Sequence, residues 1–255
     1  MSLTNNAKEY HDRMFPGHHA EFSGTDPEYI ERFQNFAYDE VVNQEGAELP
    51  GRTRFMAILS VLMGSSSIDM FREMMPAALN FGVKPTEVRE IVYQATAYLG
   101  IGRVYPFLKA MNEIFQERGI SLPLEKQATV STDPMERQQA GTDVQVEIFG
   151  EGMKDFWKKG HMNYWLADNC FGDYYTRGGL TLAEREMVTF CYIYAQGGCE
   201  NQLRGHTNGN LRMGNDRDFL IRVVSTCVPF IGYPRSLNAV SVINEVADQF
   251  EKTEA

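Results

Sequence analysis

The sequence predicts an all-α protein, on three observations. Apolar residues recur at helical spacing along most of the chain. Glycine and proline punctuate it at the intervals of helical hairpins. No stretch alternates apolar and polar residues as a strand would, and β-branched clusters such as Val223-Val224 fall inside helical periodicity. The chain also repeats itself, which decides the architecture before any motif is read. Arg54 pairs with Arg185 at a shift of 131. A shift of 132 then pairs Arg72 with Arg204, Leu79 with Leu211, Gly82 with Gly214, Gly100 with Gly232 and Arg103 with Arg235. Asn112-Glu113 likewise falls on Asn244-Glu245. The added residue is expected in the Gly197-Gly198 turn, where an insertion is easily tolerated.

Taken in order, His11 and the pair His18-His19 read as a solvated loop, because adjacent histidines point apart and no supporting ligand spacing follows. Tyr29 to Val42 forms an aromatic-rich helix whose rings are packing residues. Phe55 to Leu59, continued by Val61 to Met63, is apolar all round, so it predicts a buried central helix. Met70, Met74 and Met75 have packing spacing on the next helix, which Gly82 ends in a left-handed turn before Pro85 opens another. Gly100-Ile101-Gly102 lacks the strand and third glycine of a nucleotide fingerprint. Residues 119–134 lose apolar periodicity and carry two prolines, so they read as a linker between a first unit over 1–118 and a second over 135–255. The second unit repeats the order: an aromatic-rich helix from Asn163 to Tyr175, a central helix from Met187 to Ala195, then Gly214 and Asp216 in the places of Gly82 and Pro85.

Composition narrows the function classes. Over 255 residues, 24 Lys plus Arg stand against 34 Asp plus Glu, and the net charge of −10 disfavours nucleic acid and anionic membranes. No apolar run reaches the roughly 20 residues that span a bilayer, and Met1 to Tyr10 lacks a signal-peptide pattern. A cytoplasmic location is expected. Cys170, Cys191, Cys199 and Cys227 are few, widely spaced and without a Cys-x-x-Cys pair, as suits a reducing compartment; all but Cys199 lie in apolar stretches and read as core.

The patterns RTRFMAILSVL, MMPAALNFGVKPTEVREIVYQATAYLGIG and KAMNEIF (about 49–117), and LTLAEREMVTFCYIYAQGG, HTNGNLRMG and GYPRSLNAVSVINEV (about 180–249), resemble the carboxymuconolactone decarboxylase family. Its broader group has the alkylhydroperoxidase D-like helical fold, so the resemblance implies a tandem duplication of that unit. It also implies a homo-oligomer, for which a trimer is the natural arrangement. The family carries a helix-borne His eight residues before the helix-ending Gly; here that position is His206 in the second copy and Met74 in the first. Methionine exchanges no proton, so the first copy becomes scaffold or the wall of a shared pocket. The peroxidase branch looks like Cys-x-x-Cys-x-x-x-His with an acid upstream. Cys199 matches its first cysteine and Glu186 its acid, but Gln202 stands at the second cysteine, which removes the local disulfide step.

The resemblance makes His206, Glu186 and Cys199 the catalytic candidates, with Arg204 and Gln202 as candidate substrate contacts. Cys199 follows Gly197-Gly198 and is expected at a helix N-terminus, where the dipole favours thiolate and neighbouring Glu200 opposes it. Seven residues separate Cys199 from His206, about 10 Å along one helix face, too far for a direct hydrogen bond. Glu186 would orient or recharge His206 if the two approach. Arg204 recurs as Arg72 in the copy lacking the His, which speaks for a structural ion pair at least as strongly as for substrate. Loss of a carboxyl group from a small unsaturated lactone needs a carboxylate site, stabilisation of a dienolate and a proton donor, and obliges no metal or organic cofactor. Three readings stay open: a cofactor-free lyase using His206, a thiol redox protein using Cys199, and a non-catalytic oligomeric binding protein.

Overall fold

The computed structural model describes residues 2–254. The first half comprises α1 (Asn5–Met14), α2 (Pro27–Asn35), α3 (Gly51–Gly64), α4 (Ile68–Asn80), α5 (Pro85–Leu99) and α6 (Ile101–Glu117). The second comprises α7 (Pro134–Phe149), α8 (His161–Trp165), α9 (Leu182–Gln196), α10 (Glu200–Arg212), α11 (Arg217–Ile231) and α12 (Tyr233–Glu254). No strand occurs among the described residues. The order of α3–α6 recurs in α9–α12, as the sequence repeat predicts.

Local chemistry explains the boundaries. Gly82 and Gly214 stand just past α4 and α10 at φ +89° and +87°, where a side chain would be strained. Pro85 opens α5, and the Asp216 carboxylate caps α11 by accepting from the Phe219 N–H at 2.7 Å. The aromatic-rich helices depart from expectation. After α2 and α8 the backbone widens into π-helical turns over Phe36–Glu40 and Leu166–Tyr175, with i to i+5 hydrogen bonds such as Val41 N–H to Phe36 O and Thr176 N–H to Phe171 O. His11 also differs from its sequence reading: it lies inside α1, buried and in ring contact with Phe15 and Tyr38, because the helix begins at Asn5 and turns this position inward. His18 and His19 are exposed loop residues.

The central helices α3 and α9 cross closely; a Cβ on Gly64 would stand 2.6 Å from the Tyr192 carbonyl. Their apolar runs are buried almost without a break, from Arg54 to Gly64 and from Arg185 to Ala195. Each central helix also packs against a helix of the other copy, α5 on α9 and α11 on α3. One core therefore runs through both repeats, from Phe55 and Met56 to Val242 and Ile243, and neither copy encloses its hydrophobic residues alone. No helix of the described residues is long and apolar enough to cross a membrane.

The repeated arginines Arg54 and Arg185 have diverged in partner. Arg185 is fully buried, donates to Gln94 Oε1 at 2.7 Å and to the Arg177 and Gly178 carbonyls, and lies 3.3 Å from Glu90. Glu90 is replaced in the other copy by Arg222, and Arg54 keeps Nε and Nη1 buried without a hydrogen bond. Arg185→Met should cost about 2–3 kcal/mol, since it strands several buried acceptors at once. Arg54→Met should be neutral or stabilising by about 1 kcal/mol, because it removes a buried charge that has no ion pair among the described residues. Thermal unfolding of both variants checks the contrast, and equal losses would contradict it.

Candidate active site

His206 is carried on the inner face of α10, one helix away from Glu186 on α9. Its Nδ1 lies 2.9 Å from Glu186 Oε2 and 3.2 Å from Oε1. Glu186 is fully buried, and the His206 side chain paired with it is 12% exposed. The close approach depends on Gly209, one turn from His206: a Cβ there would fall 2.3 Å from Glu186 Oε2 and 2.9 Å from the Phe149 ring. Asn210 ties the two helices together, donating to the Glu186 carbonyl at 3.0 Å and to the His206 carbonyl at 2.7 Å.

Behind the carboxylate runs a chain of buried donors. Tyr175, at the end of the second π-helical turn, donates to Glu186 Oε1 at 2.8 Å. Its oxygen in turn meets the hydroxyls of Tyr98 at 2.9 Å and Thr189 at 2.8 Å. Thr189 accepts from Gln94, which the buried Arg185 holds. With the Tyr175 proton given to Glu186, its oxygen accepts from the other two, so the hydroxyl dipoles point toward Glu186. Burial first, and then the charges of Cys170 and Glu186, hold Tyr98 well above the usual phenol range; burial and Glu186 do the same for Tyr175. Both phenols therefore remain donors. An acceptor at Nδ1 fixes the His206 tautomer and leaves Nε2, which has no hydrogen-bond partner among the described residues, as the atom available for proton exchange. The Tyr98 and Phe149 rings stand edge-on to the imidazole at 5.4 and 5.6 Å.

The other sequence candidates stand apart from this pair. Cys199 is the N-cap of α10, half-buried, with Gln196 donating to Sγ at 3.4 Å and no hydrogen bond to His206. Gln202 is exposed. Arg204 is held by Glu245 at 2.9 and 3.1 Å on the outer surface, and Arg72 pairs with Glu113 in the same way, so the repeated arginine braces α10 on α12 as it braces α4 on α6. Burial pushes the thiols of Cys170 and Cys227 up to about 12 and raises Cys191 as well, which leaves three unreactive core cysteines.

Sequence reasoning missed Tyr98, Tyr175, Thr189, Phe149 and Gly209. Tyr98 comes from α5, so the first copy supplies a wall of the second copy's site. In the first copy the positions of Glu186, Thr189, His206 and Tyr98 hold Phe55, Ile58, Met74 and Phe230. Those four residues line one void of about 10 Å³, too small to hold more than a single water. The polar relay has been exchanged there for apolar packing.

A family model described as "Carboxymuconolactone decarboxylase family" matches residues 27–113 and again 162–245. The chain belongs to this family. Both matches begin at the aromatic-rich helix and end on the helix after α5 or α11, so the repeat seen in the sequence and in the fold is a repeat of the family's unit. The chain is also similar to 4-carboxymuconolactone decarboxylase from Acinetobacter baylyi, at 29% identity over 98 residues, which cover 37% of this chain and 72% of that protein.

Proposed function

We propose that this member of the carboxymuconolactone decarboxylase family is a cofactor-free lyase that removes carbon dioxide from a small unsaturated lactone carboxylate, with His206 as its acid/base group. The observation that carries the reading is the His206 Nδ1 to Glu186 contact inside a buried donor chain. In the reaction the bond to the carboxyl carbon breaks and its electron pair passes into the conjugated carbonyl, giving a dienolate. His206 Nε2 then delivers a proton to carbon and recovers one from water. Glu186 fixes the imidazole and balances its charge while it is protonated. Tyr175 and Asn210 act through Glu186 as positioning residues.

Cys199 chemistry ranks second, because Gln202 stands where a resolving thiol would be and the remaining cysteines are buried. Assembly as a homo-oligomer, with a trimer as the working model, belongs to the same proposal. It is supported by paired exposed apolar residues at the starts of α6 and α12: Ile101 with Tyr105, and Tyr233 with Leu237.

The test is the ultraviolet loss of γ-carboxymuconolactone without added metal, thiol or peroxide. Turnover by the wild-type protein is the expected result. A protein that is folded and oligomeric yet leaves the lactone unchanged would sink the substrate assignment and leave peroxide-dependent labelling of Cys199 as the next measurement.

A further inference from the structure

A second cavity lies on the opposite flank of the Arg185 network, between α5, α6 and the connection that joins the two copies. It encloses about 630 Å³. Its lining includes three cationic side chains, Arg89, Lys126 and Arg177, and no carboxylate. In a chain of net charge −10 this is a local reversal of sign. Arg89 is only 6% exposed, and its guanidinium spends one donor on the Glu125 carbonyl at 2.7 Å, while Nε makes no hydrogen bond among the described residues and faces only the carboxylate of Glu90. Arg177 uses Nε and Nη2 on Glu90 at 2.8 and 2.9 Å, and Glu90 is shared with Arg185 and stands 3.6 Å from Arg89 Nε. One buried carboxylate thus faces three guanidiniums, and the exposed Lys126, which has no ion pair among the described residues, adds a fourth cation. A positive surplus in a partly enclosed space is stabilised by an anion.

The shape of the rest of the cavity says what kind of anion. Both guanidiniums stand over the Tyr93 ring, Arg89 at 5.7 Å and Arg177 at 5.2 Å from its centroid. Met111, Phe115 and Leu124 supply an apolar floor. We propose that this cavity binds a small organic anion, a carboxylate or phosphate monoester on a flat apolar body, with the anionic group toward Arg89, Arg177 and Lys126 and the body against Tyr93 and the floor. Among the described residues no hydrogen bond, ion pair or ring contact joins its lining to His206 or Glu186, so the site is separate from the proposed lyase centre and does not depend on the lyase reading.

Isothermal titration of the full chain with 2-naphthoate, 2-naphthyl phosphate and the neutral 2-naphthamide tests the assignment. At least one of the two anions should bind saturably at one per chain, at least tenfold tighter than the amide, and should weaken as salt is raised. Whichever anion binds more tightly identifies the head group. Lys126 is exposed, so Lys126→Glu should fold normally and lose at least tenfold in affinity, and Tyr93→Leu should weaken binding as well. His206→Ala should bind as wild type does. Equal affinity for the amide, an unchanged Lys126→Glu, loss of binding in His206→Ala, or no saturable binding of either anion would each overturn the proposal.

Discussion

His206→Ala is expected to lower turnover of the lactone by about 10²- to 10⁴-fold, the range that a positioned acid/base group supplies, while leaving thermal unfolding close to wild type. The side chain lies at the edge of the core and is 12% exposed, so its removal opens a path to solvent and leaves little buried void. The loss should fall on kcat, because the proton is transferred only as the dienolate forms. Glu186→Gln should cost about 10- to 100-fold, as outer positioning partners commonly do, and for a reason that can be checked. Glu186 accepts on both oxygens, from Tyr175 on Oε1 and from His206 on Oε2. An amide offers one acceptor and one donor, so either Tyr175 or the imidazole must turn. If the amide N–H faces Nδ1, the neutral ring carries its proton on Nε2 and can no longer accept one there. Proton-detected nuclear magnetic resonance of the imidazole reports that change of tautomer separately from the rate. A Glu186→Gln protein with wild-type kcat and an unchanged tautomer would remove Glu186 from the mechanism.

His206 and Glu186 are legible through the family resemblance, which sets a His eight residues before the helix-ending Gly214 and an acid upstream of it; the structure places the two side chains 2.9 Å apart. The persistence of Arg204 as Arg72 speaks for an ion pair at least as strongly as for a substrate contact, and both arginines are paired on the surface. What local spacing does not encode is which helix of one copy packs on which helix of the other. Tyr98 enters the site because α5 lies on α9, where its ring meets Tyr192, and it then reaches Tyr175, 77 positions away in the chain. Tyr175 was assigned to packing with the other rings of its helix, since a π-helical turn shifts every later side chain around the axis and defeats a reading at 3.6 residues per turn. The substitutions Phe55, Ile58, Met74 and Phe230 were visible by alignment of the two copies. Only the fold shows that they gather around one void.

Gly141→Ala is expected to destabilise the protein by more than about 4 kcal/mol, a size that single substitutions reach only through a specific packing failure. The Cβ would stand 1.9 Å from the Ala167 carbonyl oxygen and 2.6 Å from the Gly172 nitrogen. On the facing side, a Cβ at Gly172 would stand 2.5 Å from the Arg137 carbonyl. The two glycines therefore let α7 and the π-helical turn over Leu166–Tyr175 meet backbone to backbone. Neither clash involves a side chain that could swing away, so relief requires the two segments to move apart. Their separation would also carry Phe149 at the end of α7 and Tyr175 at the end of the turn away from His206 and Glu186. The melting temperature should fall by about 10 °C or more at this chain length, and any protein that still folds at low temperature should lose turnover as well. By comparison Gly152→Ala, where an added Cβ meets nothing within 4 Å, should unfold within a degree or two of wild type. A Gly141→Ala melting temperature matching that control would show that the two segments can separate freely, and the tight crossing would then not be what holds Tyr175 against Glu186.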